Sequence, residues 1–162
     1  MVQSCIVDLG PCDEYITLSY VWGVAMLANG MPTATKSTLS SLAEPGFLTN
    51  GMVLPRTIRD AMEVCWKIGC RYLWVDALCI VQDDPSDVKE QIALMGDIYS
   101  GALLTIIAAW GDNAEAGLPG VSADTTRKPQ HVVRLDGLEM VEVLPLLGDA
   151  RKRSTWMSRG WT

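Results

Sequence analysis

Tyr72-Leu-Trp-Val-Asp-Ala-Leu-Cys-Ile-Val81 is almost continuously apolar. Runs of this kind form strands that are covered on both faces, as in parallel sheets. Gly69 lies just ahead of the run and Asp84-Pro85 lies just behind it, and such residues end and begin helices. The pattern therefore predicts a buried strand between two helices.

The helix before this strand opens at Leu54-Pro55, where Thr57 and Asp60 form a potential capping box. Its apolar residues fall on one face of a helix that ends at Gly69. These apolar residues are Ile58, Ala61, Met62, Cys65 and Ile68.

The helix after the strand has Asp84 as its predicted N-cap, Pro85 as its first residue and an end near Gly101. Helical spacing again places its apolar side chains on one face. These are Val88, Ile92, Met95 and Tyr99.

Two further apolar runs, Tyr15–Val21 and Leu103–Ala109, read as buried strands. Strands that alternate with helices through short joints predict crossover units. The fold class is therefore α/β, a mostly parallel sheet flanked by helices. Residues 24–53 read as a long connection with a short helix around Thr38–Leu42.

The end of the chain has a different character. His131–Leu135 and Leu138–Leu144 flank Asp136-Gly137, which is typical of a β-hairpin. A basic, aromatic tail follows at Arg151–Thr162. We expect one domain over residues 1–162, with a core at about 15–110 and the hairpin and tail at about 111–162.

Composition narrows the possible functions. Thirteen Lys and Arg against nineteen Asp and Glu give a net charge of −6, which argues against a general nucleic-acid binder. The longest uncharged apolar run, Ala102 to Trp110, is about half a membrane span. A basic-then-apolar run is not visible in the sequence, so we expect no secretory signal. We therefore expect a cytoplasmic protein that binds neither nucleic acid nor membranes.

Cysteine and histidine usage limits the chemistry further. The chain has five cysteines without a C-x-x-C pair, and its one histidine is His131. Structural zinc sites need Cys or His pairs at short spacing, so we expect no bound metal. A Ser-His-acid or Cys-His arrangement would have to use His131, which lies in an apparent strand.

The predicted sheet places its ligand site beyond the carboxyl ends of the strands. Two segments fall there, Ser19–Gly23 and Asp76–Asp84, and neither contains a phosphate-cradling glycine motif. They offer hydroxyl, aromatic, thiol, amide and carboxylate groups. The candidate substrate-binding residues are Ser19, Tyr20, Trp22, Gly23, Cys79, Gln82 and Asp83.

Two acids are candidates for catalysis. Asp76 interrupts an apolar run, so it is either a catalytic or ligand-binding acid or a structural carboxylate that accepts hydrogen bonds. Glu90 lies in the second turn of the following helix, opposite its apolar face, and is either solvated or functional. The aromatic residues Trp22, Trp156 and Trp161 either stack on a ligand ring or belong to the core.

Several segments together resemble the fungal HET (heterokaryon incompatibility) domain. They are Tyr15–Gly23, Leu54–Ala61, Tyr72–Asp83, Met95–Tyr99 and the closing Trp156-Met-Ser-Arg-Gly-Trp-Thr162. The resemblance implies a cell-death effector of fungal nonself recognition, joined to regulatory domains or acting with partner proteins. It also implies a remote similarity to TIR domains, with a TIR-like or flavodoxin-like core, and some TIR domains cleave NAD⁺.

The comparison with TIR enzymes points to Glu90 as the key acid. The family pattern often has Trp-x-x-Glu before the Met, where this chain has Val88 and Gln91. The acid is therefore one residue early, about 100° around the helix. Either the helix start is shifted to bring Glu90 inward, or this chain lacks the acid and Asp76 or Asp83 matters more.

The implied activity is release of nicotinamide from NAD⁺, which would be a substrate rather than a cofactor. One carboxylate near the ribose stabilises an oxocarbenium-like transition state. The resemblance to TIR enzymes also implies self-association. The alternative is a non-enzymatic interaction module that triggers cell death through partners; a nuclease is a weaker reading.

Overall fold

A computed structural model describes residues 4–24, 31–122, 130–142 and 154–158. A three-stranded parallel sheet has β1 (Tyr15–Ser19) in the middle, between β2 (Tyr72–Trp74) and β3 (Leu104–Ile107). Thr17 lies opposite Trp74 on one side and Thr105 on the other. The predicted α/β class with a parallel sheet is confirmed.

Of the described helices, the first, third and fifth lie close to positions that the sequence predicts, and the others were not predicted. In chain order, the described helices are α1 (Leu39–Leu42), α2 (Phe47–Asn50), α3 (Arg56–Lys67), α4 (Asp76–Cys79), α5 (Pro85–Gly101) and a 3₁₀ helix (Thr155–Ser158). Gly69 follows α3 with a φ of +82°, a backbone conformation that favours glycine. Asp84 caps α5 by accepting the Ser86 N–H, so both predicted boundaries are confirmed.

Helices α3 and α5 pack on opposite faces of the sheet. Leu18 of β1 belongs to the same buried cluster as Ile58 of α3. Thr17 is next to Leu18 in β1, so its side chain points to the opposite face of the sheet. Trp74 of β2 pairs with Thr17 and lies on that opposite face, where its ring contacts the ring of Tyr99 from α5. The chain thus winds in one direction from β1 to β2 and crosses back to β3, which makes the gap between β1 and β3 a topological switch point.

The strand predicted over Tyr72–Val81 is wrong beyond Trp74. Residues 76–79 form the single helical turn α4, in which the N–H groups of Leu78 and Cys79 donate to the Val75 carbonyl at 2.9 and 2.8 Å. The Asp76 carboxylate accepts the Ala77 N–H at 2.7 Å. An Asp side chain that bonds to nearby backbone competes with strand pairing, and here it wins.

The expectation that Leu103–Ala109 is a buried strand is also wrong in part. Strand β3 covers only Leu104–Ile107 and, within the described residues, pairs on one side alone. Leu103, Leu104 and Ile107 are 58%, 40% and 42% exposed. An edge strand has one neighbour fewer, so an apolar pattern alone overstates its burial.

The predicted capping box at the start of α3 does not form. Pro55 occupies the N-cap position and makes no side-chain cap hydrogen bond. The Thr57 hydroxyl instead accepts the Gly117 N–H at 3.0 Å, and the Asp60 carboxylate accepts the Leu118 N–H at 2.7 Å. Both side chains are buried and tie the loop after β3 to α3.

The predicted hairpin is confirmed, with β4 (Val132–Leu135) antiparallel to β5 (Leu138–Val141). Asp136 and Gly137 both have positive φ, at 48° and 82°, as a type I′ turn requires. Every residue of both strands is exposed. The basic residues Arg151–Arg153 and Trp161 lie outside the described part of the chain.

Candidate functional site

The two segments predicted to meet at the carboxyl edge of the sheet do meet. Trp22, after β1, donates its indole N–H towards both carboxylate oxygens of Asp76, at 3.2 and 3.1 Å. Asp76 follows β2 and also accepts the Ala77 N–H. It is half-buried, so these N–H donors help to fix one orientation of a carboxylate that remains within reach of solvent.

Gln82 braces the turn that carries Asp76. Its side-chain amide donates to the Asp76 carbonyl at 3.1 Å and to the Ile80 carbonyl at 3.0 Å. Its backbone N–H donates to the Ala34 carbonyl at 2.8 Å. These bonds give Gln82 a positioning role at the site, in addition to any contact with a ligand.

The Cys79 thiol is a poor nucleophile in this setting. Desolvation by burial raises the pKa of Cys79 to about 11, helped by the negative charge of Asp76 and opposed by the Val75 N–H that the sulfur accepts at 3.5 Å. A thiol with such a pKa stays protonated at neutral pH. Cys79 therefore contributes shape and packing rather than a thiolate.

Ser19 ends β1 and is linked to the closing segment of the chain. Its hydroxyl oxygen accepts the indole N–H of Trp156 at 2.8 Å. A serine hydroxyl can still donate its own hydrogen when it accepts such a bond. Trp156 is 7% exposed. The structure therefore favours a core position for Trp156 over stacking on a ligand ring.

Tyr20 and Gly23 shape the edge of the site from within. Tyr20 is 1% exposed and packs in the main core. Gly23 has a φ of +86°, and a Cβ atom there would lie 2.4 Å from the Cβ of Asn113. The loops after β1 and β3 therefore touch at the switch point, a contact that only glycine allows.

The remaining two candidates lie on the outside. Asp83 is exposed, and its carboxylate accepts the Lys36 backbone N–H at 2.8 Å. Glu90 is exposed on α5 and forms no hydrogen bond or ion pair with any residue that the structure describes. The helix begins at Pro85 as predicted, so no shifted start turns Glu90 inward. The half-buried residue at the next position is Gln91.

Sequence reasoning missed the acids that support the backbone around the site. Asp87 accepts the Val81 N–H at 2.7 Å, and Asp60 holds Leu118. Asp60 and Thr57 alternate with Ile58 and Ala61 on α3, all buried. Polar residues inside an apolar helical face are the signal that could have revealed these tertiary bonds, because buried polar groups need partners.

Two further observations concern metal binding and membrane-spanning helices. No group of three or more His, Cys, Asp or Glu side chains within the described ranges could hold a metal ion. Among those same residues, no helix combines the length and the hydropathy that a membrane span requires.

Comparison with known proteins places the chain in a family. The family described as heterokaryon incompatibility protein (HET) matches residues 15–162. The chain is 27% identical over 152 residues to heterokaryon incompatibility protein 6, OR allele, of Neurospora crassa, across 93% of this chain and 20% of that protein. It thus spans about a fifth of the relative's length.

No solved structure is significantly similar to the chain, so the TIR-like core stays a prediction. The family match covers the sheet, both long helices and the Trp22–Asp76 pair. On this match, the chain belongs to the heterokaryon incompatibility (HET) domain family.

Proposed function

We propose that this domain is a cell-death effector of fungal nonself recognition and that it cleaves the N-glycosidic bond of NAD⁺ at the Trp22–Asp76 pair. Membership of the HET family and the name of the Neurospora relative support the biological role. NAD⁺ is the substrate in this proposal, and the domain acts in the cytoplasm, in association with further copies or with regulatory domains and partner proteins.

The observation that carries the proposal is the double hydrogen bond from Trp22 to Asp76. It fixes a half-buried carboxylate at the carboxyl edge of a doubly wound sheet, where ligands of such sheets bind. The Ser19 hydroxyl lies at the same edge and has a hydrogen to donate to ribose or phosphate.

The chemistry needs one well-placed negative charge. As the bond from C1′ of the ribose to the nicotinamide nitrogen breaks, its electron pair leaves with neutral nicotinamide and positive charge develops on the ribose. The Asp76 carboxylate stabilises that charge. Water then adds to C1′ and loses a proton, so the products are nicotinamide, ADP-ribose and one proton.

Glu90 has a different place in the proposal. It is exposed on α5, and in this proposal it meets bound NAD⁺ where copies of the domain assemble. Asp83 lies at the exposed start of the same helix. The order of importance that we propose is therefore Asp76 first and Glu90 second.

The test is nicotinamide release by the purified domain, measured with and without a clustering agent. Asp76→Asn keeps the shape of the side chain and should lower release about 100-fold or more, because removal of one electrostatic stabiliser commonly costs that much. Trp22→Phe, which removes only the N–H donor, should lower it about tenfold through misplacement of the carboxylate. The exposed Asp97→Asn is the matched control and should have no effect.

Three outcomes would contradict the proposal at different points. Full activity of Asp76→Asn would overturn the site, and loss of activity in Glu90→Gln alone would move the acid to α5. No release by the folded, clustered domain would overturn the enzyme itself.

The exposed hairpin favours the second candidate function, an interaction module that kills through partners. Its apolar side chains are open to solvent, and Leu135 and Leu138 are 60% and 71% exposed. Exposed apolar patches mark interaction sites. Under this alternative, toxicity in a fungal host survives Asp76→Asn and is lost in Leu138→Lys, whereas the enzyme proposal predicts the opposite pair of results.

A further inference from the structure

A cavity of about 610 Å³ lies between residues 4–7, α3 and β2. Neither Trp22, Asp76 nor Ser19 lines it, although Leu78 and Cys79 of the α4 turn form part of its wall. The volume is in the range of sites that hold small molecules. The cavity is thus distinct from the Trp22–Asp76 pair, and the α4 turn lies between the two.

The wall of this cavity is more apolar than polar and contains four of the chain's five cysteines. Burial, together with the neighbouring Cys70 thiol, raises the pKa of Cys65 to about 12, and burial raises that of Cys79 to about 11. Protonated, buried thiols behave as small apolar groups. The wall therefore favours contact with an aliphatic group of a ligand. Because Cys65 and Cys79 stay protonated, they act neither as metal ligands nor as nucleophiles.

One charged residue lines the cavity, and it is positive and exposed to solvent. Arg71 is the only Lys, Arg, Asp or Glu among the lining residues, in a chain with six more acids than bases. Its guanidinium carbon lies 5.4 Å from the centroid of the Tyr72 ring, which also lines the cavity. Within the described residues Arg71 has no carboxylate in ion-pair distance.

A guanidinium without a carboxylate partner is suited to a planar anion, because its N–H groups match both oxygens of a carboxylate. The apolar wall behind it is suited to an aliphatic chain. We propose that the cavity binds an aliphatic monocarboxylate, with its chain among the thiols and its carboxylate on Arg71. This site is independent of NAD⁺ cleavage and goes beyond the proposed function.

The test is calorimetric titration of the domain with decanoate, octanoate and hexanoate below their micellar concentrations. Affinity should fall about fourfold for each CH₂ removed, the value expected for burial of one methylene. Decanol, which has the same chain without the charge, should bind about tenfold more weakly than decanoate. Decyltrimethylammonium should not compete with decanoate.

Two variants separate the parts of the site. Arg71→Gln should weaken decanoate about tenfold and leave decanol unchanged, because the guanidinium contacts only the carboxylate. Val7→Trp, at a half-exposed lining position, should weaken both ligands by filling the cavity. Arg59→Gln is the matched control, since Arg59 is exposed on α3 and does not line the cavity.

The proposal is overturned if the folded domain does not bind decanoate, or if decanol binds as tightly as decanoate. Equal losses in Arg59→Gln and Arg71→Gln would also overturn it, because they would show attraction to overall charge rather than to this cavity. Circular dichroism of each variant establishes that it is folded.

Discussion

The two long helices cover opposite faces of one sheet, yet the sheet holds them in different ways. Helix α3 has 12 residues and buries five of them: Thr57, Ile58, Asp60, Ala61 and Cys65. Helix α5 has 17 residues, and the structure describes all of them without a buried one. The longer helix is thus the less deeply packed of the two.

Polar and aromatic contacts hold α5 to the sheet. The Tyr99 hydroxyl donates to the Leu18 carbonyl at 3.2 Å, and the Tyr15 hydroxyl donates to the Ile98 carbonyl at 2.7 Å. The Trp74 and Tyr99 rings meet edge to face, 5.7 Å apart. Helix length and clear end signals therefore say little about how much a helix contributes to stability, because packing supplies most of that free energy.

Truncation of one isoleucine on each helix tests this difference with the largest expected effect. Ile58→Ala should lower the free energy of unfolding by about 3 kcal/mol, because it removes a fully buried side chain. Ile92→Ala, at 41% exposure on α5, should cost less than about 1 kcal/mol. Urea unfolding of both variants measures the two losses in unfolding free energy. Equal losses would contradict the inference that α3 is more deeply packed than α5.

An acid on each helix gives the next largest contrast. Asp60→Ala leaves the buried Leu118 N–H without its acceptor and should cost about 2–3 kcal/mol. Asp97→Ala, at an exposed α5 position, should change stability by no more than about 0.5 kcal/mol. If Asp60→Ala were as mild in urea unfolding, the tie between α3 and the loop after β3 would have no energetic weight.

The hydroxyl contacts of α5 should be worth less than either buried group. Tyr15→Phe removes the hydrogen bond to Ile98 and should cost about 1 kcal/mol. Hydrogen exchange should show the loss mainly in α5, since α3 lies on the other face. A uniform loss of protection in both helices would mean that α5 docks and unfolds together with the rest of the domain.

The start of α5 should carry the smallest effect, and that effect depends on pH. Hydrogen bonding to the Ser86 hydroxyl, followed by the hydrogen bond to Lys36, lowers the pKa of Asp84 from 3.8 to about 2. Because the folded-state pKa is depressed, this stabilisation is present above about pH 4 and is lost as the pH falls towards 2. Asp84→Asn keeps a cap but removes the charge, so its unfolding free energy should fall less steeply over that range.

Lys36→Met provides the control for the charge partner, since Lys36 lies 3.1 Å from Asp84. It should flatten the same part of the pH profile only slightly, because the ion pair is exposed. Parallel pH profiles for the wild type and Asp84→Asn would show that the carboxylate charge has no part in stabilising α5.

Local signals predicted the elements whose ends depend on local chemistry. Asp84-Pro85 and Gly69 mark helix ends through their own side chains and backbone, and Asp136-Gly137 marks the hairpin turn. The meeting of the Ser19–Gly23 and Asp76–Asp84 segments followed from the rule for parallel sheets. Each of these features can be predicted from a few neighbouring residues or from the order of the strands.

Tertiary contacts decided most of the features that the sequence mispredicted or left open, and the turn at Asp76 is the local exception. Thr57 and Asp60 have capping-box spacing, but they bond to a loop about 60 residues away. Asp76 turns the chain after β2, so an apolar run that reads as a strand becomes a helical turn. The position of Glu90 relative to the site depends on which face of α5 packs against the sheet. The spacing of apolar residues in the sequence did not decide which face that is.

The bond between Ser19 and Trp156 joins residues that are 137 positions apart in the chain. During synthesis at 5–20 residues per second, Trp156 is added roughly 7–27 s after Ser19. Ser19, the last residue of β1, therefore gains this hydrogen bond only after almost the whole domain has been translated. An activity that depends on this bond could begin only after Trp156 has been synthesised.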